Sequence, residues 1–97
     1  MIFQWDEAKS ISNIKKHKIS FEEAVTIFND PNVLTMFDPD HSVDEDRWVS
    51  IGISAKSRLL VVIHLHFLNI DGKDSIRIVS ARKAVKREKI AYTKGRL

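Results

Sequence analysis

Two strand-like segments joined by a very short connection constrain the fold of this chain more than any other feature. Residues Arg47–Ser54 alternate between aliphatic and other side chains, which is the period of a half-buried strand. Arg58–Leu68 is a longer apolar segment that contains two histidines. Because only Ala55, Lys56 and Ser57 separate the two segments, the strands are expected to pair antiparallel.

Two helices are predicted before these strands. Asp6 can cap a helix over Glu7–His17, in which three apolar residues fall near one stripe: Ala8, Ile11 and Ile14. Ser20 and Glu23 form a capping box that opens a second helix, which runs through Phe28. The Asp30-Pro31 pair ends that helix, and a first strand follows over residues 33–37.

The stretch Ser75–Tyr92 predicts a strand that runs into a helix. Ile76 and Ile78 alternate with Arg77, whereas from Ser80 onward the period becomes helical, with Ser80 as the N-cap. The element order along the chain is then α-α-β-β-β-β-α. Two N-terminal helices precede a four-stranded, mainly antiparallel sheet, and a C-terminal helix follows it. This order is typical of an α+β fold with helices on one sheet face, in a single domain over residues 1–97.

The charge distribution indicates a polyanionic partner. The net charge is +3, but from Arg77 onward eight cations face a single acid, Glu88. With a pI of about 9.3, this asymmetry favours nucleic acid and also suits an acidic protein. Five acids crowd into one exposed connection: Asp38, Asp40, Asp44, Glu45 and Asp46.

Several classes of protein are disfavoured by composition. The chain has no cysteine, which excludes disulfides, thiolate metal sites and cysteine nucleophiles. No apolar run approaches the roughly 20 residues of a membrane helix, and the first residues lack the pattern of a signal peptide. A cytoplasmic protein without a membrane partner is therefore expected.

The two histidines of the long apolar segment are candidate chemical groups. His64 and His66 lie two residues apart and share one strand face, whereas the opposite face is wholly apolar and is predicted to be the core side. His64 would then lie on the less buried side, where imidazole can act as a general acid or base. A His-x-His metal site and plain surface histidines are the alternatives.

Cations at the strand-to-helix junction are the candidate phosphate ligands. Arg77 offers a planar, permanently charged fork for a phosphate. Arg82 and Lys83 would begin the last helix, where the backbone N–H groups add positive potential and two cations are unfavourable without an anion. Glu88 lies on the predicted inner stripe and needs a cationic partner, for which Arg77 is the candidate. An ion pair that fixes the helix on the sheet is the favoured role of Glu88, with Ser80 as a second supporting residue.

Further candidates for RNA contact lie outside the junction. Lys16 and His17 belong to a basic cluster at the end of the first helix, where the helix dipole alone explains cations and RNA contact is the alternative. Tyr92 either stacks on a base or closes the edge of the core. Arg87 belongs to the same basic C-terminal segment.

The order and spacing of several short motifs resemble the BrnT family of type II toxin–antitoxin toxins over nearly the whole chain. The matching blocks are Phe3-x-Trp5-Asp6-x-x-Lys9-x-x-x-Asn13-x-x-Lys16-His17, Ser20-Phe21-x-x-Ala24-x-x-x-Phe28-x-Asp30-Pro31, Arg47-Trp48-x-x-x-Gly52, Val61-Val62-x-His64 and Arg77-Ile78-x-Ser80-Ala81-Arg82-x-Ala84-x-x-x-Glu88-x-x-x-Tyr92. One departure is Lys18, where the family usually has glycine, so the helix is expected either to end on a non-glycine left-handed residue or to terminate differently.

The resemblance implies a RelE-like ribonuclease fold and an mRNA-cleaving activity that arrests growth. It also implies that a BrnA-type antitoxin with a ribbon-helix-helix part forms a hetero-oligomer with the toxin and neutralises it. The complex would bind operator DNA only through the antitoxin. The expected catalytic residues are His64, Arg77, Arg82 and Lys83, with RNA contacts from Lys16, His17, Arg87 and Tyr92. No cofactor and no metal is expected, and the alternative function is a non-catalytic basic module that binds an acidic antitoxin or nucleic acid.

Overall fold

The computed structural model describes residues 1–42 and 45–95, so Asp44 of the acidic connection and Arg96 of the C-terminal cations lie outside the described residues. The strands are β1 (Ile2–Gln4), β2 (Leu34–Phe37), β3 (Arg47–Ile53), β4 (Leu59–Leu68) and β5 (Asp74–Lys83). The α-helices are α1 (Glu7–His17), α2 (Phe21–Val25) and α3 (Lys86–Lys94), with short 3-10 helices at Thr26–Asn29 and Pro39–His41. None of the helices in the described ranges combines the length and the apolar character that crossing a membrane requires.

The strands form one sheet in the order β1-β5-β4-β3-β2. The antiparallel pairing of β3 with β4, and of β4 with β5, confirms the predicted meander. The predicted count of four strands is wrong, because β1 adds a fifth strand that pairs parallel to β5. Three residues are too few to show a period, so only the tertiary contact with β5 identifies this strand.

The two faces of the sheet are covered unequally. The inner face carries Leu60 and Val62 and packs against α2 and the first 3-10 helix, where both side chains are fully buried. The outer face carries Val61 and Ile51, packs against α3, and is covered only in part. The prediction that the Val61 face is the core side of β4 is therefore wrong, because the two N-terminal helices lie on the opposite side.

Helix α1 has the predicted bounds but a different packing face. Ser10 and Asn13 are buried, whereas Ile11 and Ile14 are 52% and 42% exposed. The cause is that α1 lies along the edge of β5 beyond β1, where Asn13 accepts a hydrogen bond from the backbone N–H of Ala81 and donates to its carbonyl oxygen. The amide side chain thus replaces the strand neighbour that β5 lacks at this point.

The ends of α1 and α2 follow local chemistry. Lys18 adopts the left-handed conformation at the end of α1, with φ 61°, so the helix ends on a non-glycine left-handed residue. The hydroxyl of Ser20 accepts a hydrogen bond from the backbone N–H of Glu23, which confirms the predicted cap. The Glu23 carboxylate does not reach back to the cap, however, because it pairs with Arg58 and accepts a hydrogen bond from Ser54.

The predicted strand-to-helix junction is displaced by several residues. Strand β5 continues to Lys83, and α3 begins at Lys86 with Val85 as its N-cap, so Ser80 does not cap a helix. Ser80 lies opposite Ile63 of β4, just beyond an irregularity of the pairing. The long partner strand β4 provides hydrogen bonds that keep these residues extended, and this tertiary pairing overrides the helical period of the sequence.

Candidate functional site

The sheet separates the four predicted catalytic residues into two pairs. Arg77 is paired with Leu65, and Arg82 with Val61, which places both arginines on the outer face. His64 and Lys83 are paired with residues of the inner face. Because a sheet lies between the two pairs, the four side chains cannot contact one substrate group.

His64 is a core residue and not the partly exposed group that was predicted. It is 3% exposed, its Nε2 lies 2.7 Å from the Ser50 hydroxyl, and its ring packs edge-on against Phe28. Burial, with a smaller contribution from the charge of His66, lowers the pKa of His64 to about 4. A neutral, enclosed imidazole with this pKa gives no support to the predicted catalytic role.

Arg82 is engaged within the protein. Its guanidinium donates two hydrogen bonds to the carboxylate of Glu88, at 2.8 and 2.7 Å. Glu88 was expected to pair with Arg77, and the structure replaces that partner with Arg82, because Arg82 lies on the strand end nearest α3. The same carboxylate accepts a hydrogen bond from the backbone N–H of Val85, so it caps α3 as well as joining it to β5. The Arg82 hydrogen bond lowers the pKa of Glu88, which holds the ion pair in its charged form.

A cationic cleft lies at the open end of the outer face. Arg47 of β3 and Arg77 of β5 are both paired with Leu65 of β4, so one leucine separates them across the sheet. Two strand spacings put their Cα atoms about 10 Å apart. Lys9 reaches the same cleft from α1, and the volume of the cleft is about 150 Å³.

The Arg47 side chain in this cleft has a buried hydrogen-bond donor without a partner among the described residues. This donor is the Nε atom, which is shielded from solvent. A buried donor without a partner is costly, and the cost is removed if an anion enters and accepts the hydrogen bond. Asp6 and Glu45 also line the cleft, although Asp6 is engaged as the cap of α1 through the backbone N–H groups of Ala8 and Lys9.

The predicted RNA-contacting residues occupy separate regions. Lys16 and His17 are exposed at the end of α1, and Arg87 is exposed in the first turn of α3. The Tyr92 hydroxyl donates a hydrogen bond of 2.5 Å to Asp30, and this bond raises the pKa of Tyr92 to about 12. This hydrogen bond connects α3 to the loop after the first 3-10 helix. Of the two predicted roles of Tyr92, the contact agrees with closing the edge of the core.

Two residues of the cleft were missed as candidates. Arg47 begins a strand and Lys9 lies within a helix, and neither position distinguishes them from surface cations in the sequence alone. The Arg47-Trp48 and Lys9 positions of the motif blocks were the available signal. Within residues 1–42 and 45–95, no three His, Asp or Glu side chains are grouped closely enough to hold a metal ion.

Comparisons with known proteins agree with the motif blocks. A crystal structure of the Brucella abortus ribonuclease toxin BrnT superimposes with a TM-score of 0.59 and 21% sequence identity, over 89% of this chain and 100% of that chain. At this identity the likeness shows a shared fold. Comparison with curated proteins gave no significant match. The family model described as "Ribonuclease toxin, BrnT, of type II toxin-antitoxin system" matches residues 5–88. Since that range is most of the chain, the protein belongs to the BrnT family of ribonuclease toxins of type II toxin–antitoxin systems.

Proposed function

We propose that this protein is a metal-independent endoribonuclease that cleaves mRNA and has a RelE-like fold. We further propose that the cationic cleft of the outer face is its active site. The observation that carries the proposal is that Arg47, Arg77 and Lys9 converge on one cleft. In this cleft the buried Nε atom of Arg47 has no hydrogen-bond partner among the described residues.

The two arginines would hold the scissile phosphate. Guanidinium groups on either side of Leu65 can each donate hydrogen bonds to phosphate oxygens, and they stabilise the added charge of a pentacovalent phosphorane. Metal-free cleavage also needs an acceptor for the 2′-hydroxyl proton and a donor for the leaving oxygen. Glu45 is the candidate acceptor, since it lines the cleft and does not cap a helix, and the Lys9 ammonium is the candidate donor.

RNA on either side of the cut would follow α1. Lys9 and Lys16 are separated by seven residues, which is close to two helical turns, so the two side chains project from nearly the same side of α1. The rise along the helix puts their Cα atoms about 10 Å apart. Together with His17 they extend the positive charge of the cleft along the edge of the sheet, where phosphates of a single strand can bind.

The wider biology of the proposal is that of the family. The partner is a BrnA-type antitoxin with a ribbon-helix-helix part, which forms a hetero-oligomer with this toxin and carries the binding of operator DNA. The two proteins meet in the cytoplasm, where the toxin cleaves mRNA when it is not bound to the antitoxin.

The test compares two variants that each lose one exposed cation, Arg77→Ala in the cleft and Lys73→Ala in the β4–β5 turn. Purified proteins are incubated with single-stranded RNA in EDTA. Loss of a phosphate-binding arginine is expected to lower the cleavage rate about 100-fold or more, whereas Lys73→Ala cleaves like the wild type. Circular dichroism serves as the folding control.

Three results would contradict the proposal. Equal rates for the two variants would remove the cleft from the active site. Loss of wild-type activity in EDTA would show a requirement for metal. A wild-type protein that binds but does not cleave RNA would favour the alternative, a non-catalytic basic module.

A further inference from the structure

An apolar groove runs between α3 and the outer face of β2 and β3. Its floor is formed by Val49 and Ile51 of β3, and its sides by Met36 of β2 and by Ile90 and Ala91 of α3. Met36 and Ile90 are 39% and 47% exposed, and the volume of the groove is about 500 Å³. An exposed apolar groove rimmed by charged residues is typical of a surface that binds a partner.

Positive charge surrounds this groove. Arg87 and Lys94 line it, and Lys86 and Lys89 lie on the same nine-residue helix. Glu88 is the acid of α3, and its carboxylate is occupied by Arg82. Cations in the first turn of a helix oppose the helix dipole, so Lys86 and Arg87 are placed where a negatively charged neighbour would relieve an unfavourable interaction.

We propose that this groove, the α3 groove, binds an acidic amphipathic helix of a protein partner. Apolar side chains of that helix would fill the space between Met36 and Ile90, and its flanking carboxylates would pair with Arg87 and Lys94. RNA is a poorer match, because the floor of the groove offers aliphatic carbon and no polar group to its bases. Under the proposed function the partner is the antitoxin.

Occupation of the α3 groove would also block the cleft. Val49 in the floor of the groove and Arg47 in the cleft lie two residues apart on the same face of β3, a separation of about 7 Å. A helix is about 10 Å wide with its side chains, so one seated in the groove would extend over Arg47. Inhibition by occlusion rests on the proposed function, whereas binding to the groove does not.

The experiment uses a synthetic helical peptide with leucine along one face and glutamate on both flanks, and a counterpart with lysine in place of glutamate. Binding to the full-length protein is measured by fluorescence anisotropy, and the side-chain methyl signals of Met36 and Ile90 are followed by NMR. The acidic peptide is expected to bind saturably, to shift both signals and to inhibit RNA cleavage. The lysine peptide is expected to bind at least about tenfold more weakly.

Ile90→Asp is the groove variant, and Ile11→Asp on α1 is its matched control, since both residues are about half exposed. Ile90→Asp should weaken peptide binding at least about tenfold and escape inhibition while still cleaving RNA, whereas Ile11→Asp behaves like the wild type. Equal binding by the two variants would overturn the proposal, as would equal binding of the two peptides. Shifts of Met36 and Ile90 caused by single-stranded RNA would instead assign the groove to RNA.

The design separates failure of the groove from failure of the proposed function. If the protein cleaves no RNA but the acidic peptide still shifts Met36 and Ile90, the groove stands and the ribonuclease proposal falls. If cleavage depends on Arg77 but the peptide binds nowhere on α3, the reverse holds.

Discussion

The burial of His64 on the inner face of the sheet leads to a prediction about the dependence of stability on pH. Its folded-state pKa of about 4 lies below the ordinary value of 6.5, because burial disfavours the imidazolium. As the pH falls through 6.5, the unfolded chain takes up a proton that the folded protein cannot accommodate. The contribution that neutral His64 makes to the free energy of unfolding is therefore complete above about pH 6.5 and is lost progressively as the pH falls to about 4.

The size of this loss follows from the shift. A difference of about 2.5 pKa units corresponds to about 3 kcal/mol over the whole range, and about 2 kcal/mol of it is lost between pH 7 and about pH 5. His64→Gln keeps an amide within reach of Ser50 but does not titrate. The free energy of unfolding of this variant should consequently vary less with pH than that of the wild type, by about 2 kcal/mol across the same range.

Urea unfolding at a series of pH values measures the difference directly. The pKa values of Glu23 and Glu88 are lowered by hydrogen bonds from Arg58 and Arg82, so both carboxylates add stability that disappears as the pH falls through and below their ordinary range. These contributions are common to both proteins and cancel in the comparison. Identical pH dependence in wild type and His64→Gln would refute the reasoning, as would loss of RNA cleavage in a folded His64→Gln protein.

Two further predictions concern polar contacts that hold the elements together. Asn13→Ala removes side-chain hydrogen bonds to the backbone of Ala81 and Ile19, and should lower the free energy of unfolding by about 3 kcal/mol in urea unfolding. Ser12→Ala, on the exposed side of α1, is the control and should leave the free energy of unfolding unchanged. Glu88→Gln weakens the attachment of α3 to β5, and after allowance for the partly exposed arginine partner we expect a loss of about 1 kcal/mol together with faster amide hydrogen exchange in α3; unchanged exchange would show that the ion pair does not fix the helix.

Local sequence chemistry determined the elements whose causes are local. Asp6 caps α1 at the predicted residue, Ser20 caps α2, and Lys18 takes the left-handed conformation that ends the first helix. The antiparallel pairing of β3 with β4 also followed from the sequence, since the connection between them, predicted at three residues and observed at five (54–58), is too short for a parallel crossover. These predictions were correct because each depends on groups only a few residues apart.

The candidate site depended on contacts that no local pattern contains. The faces of β4 are both apolar apart from the histidines, so its alternation could not reveal which face lies beneath the helices. The reversal placed His64 in the core and left Arg77 on the opposite, open face.

Tertiary structure also decided which of the predicted phosphate ligands pairs with a carboxylate of the protein itself. Arg82 and Arg77 look alike in the sequence, but the extension of β5 to Lys83 brings Arg82 to the carboxylate of α3. Arg47 joins Arg77 only because β3 and β5 flank the same residue of β4. The sequence by itself therefore determined the family, the bounds of α1, the start of α2 and the antiparallel order of β3, β4 and β5. The position and composition of the cleft followed from strand pairing between distant segments, where long-range hydrogen bonds outweigh local preference.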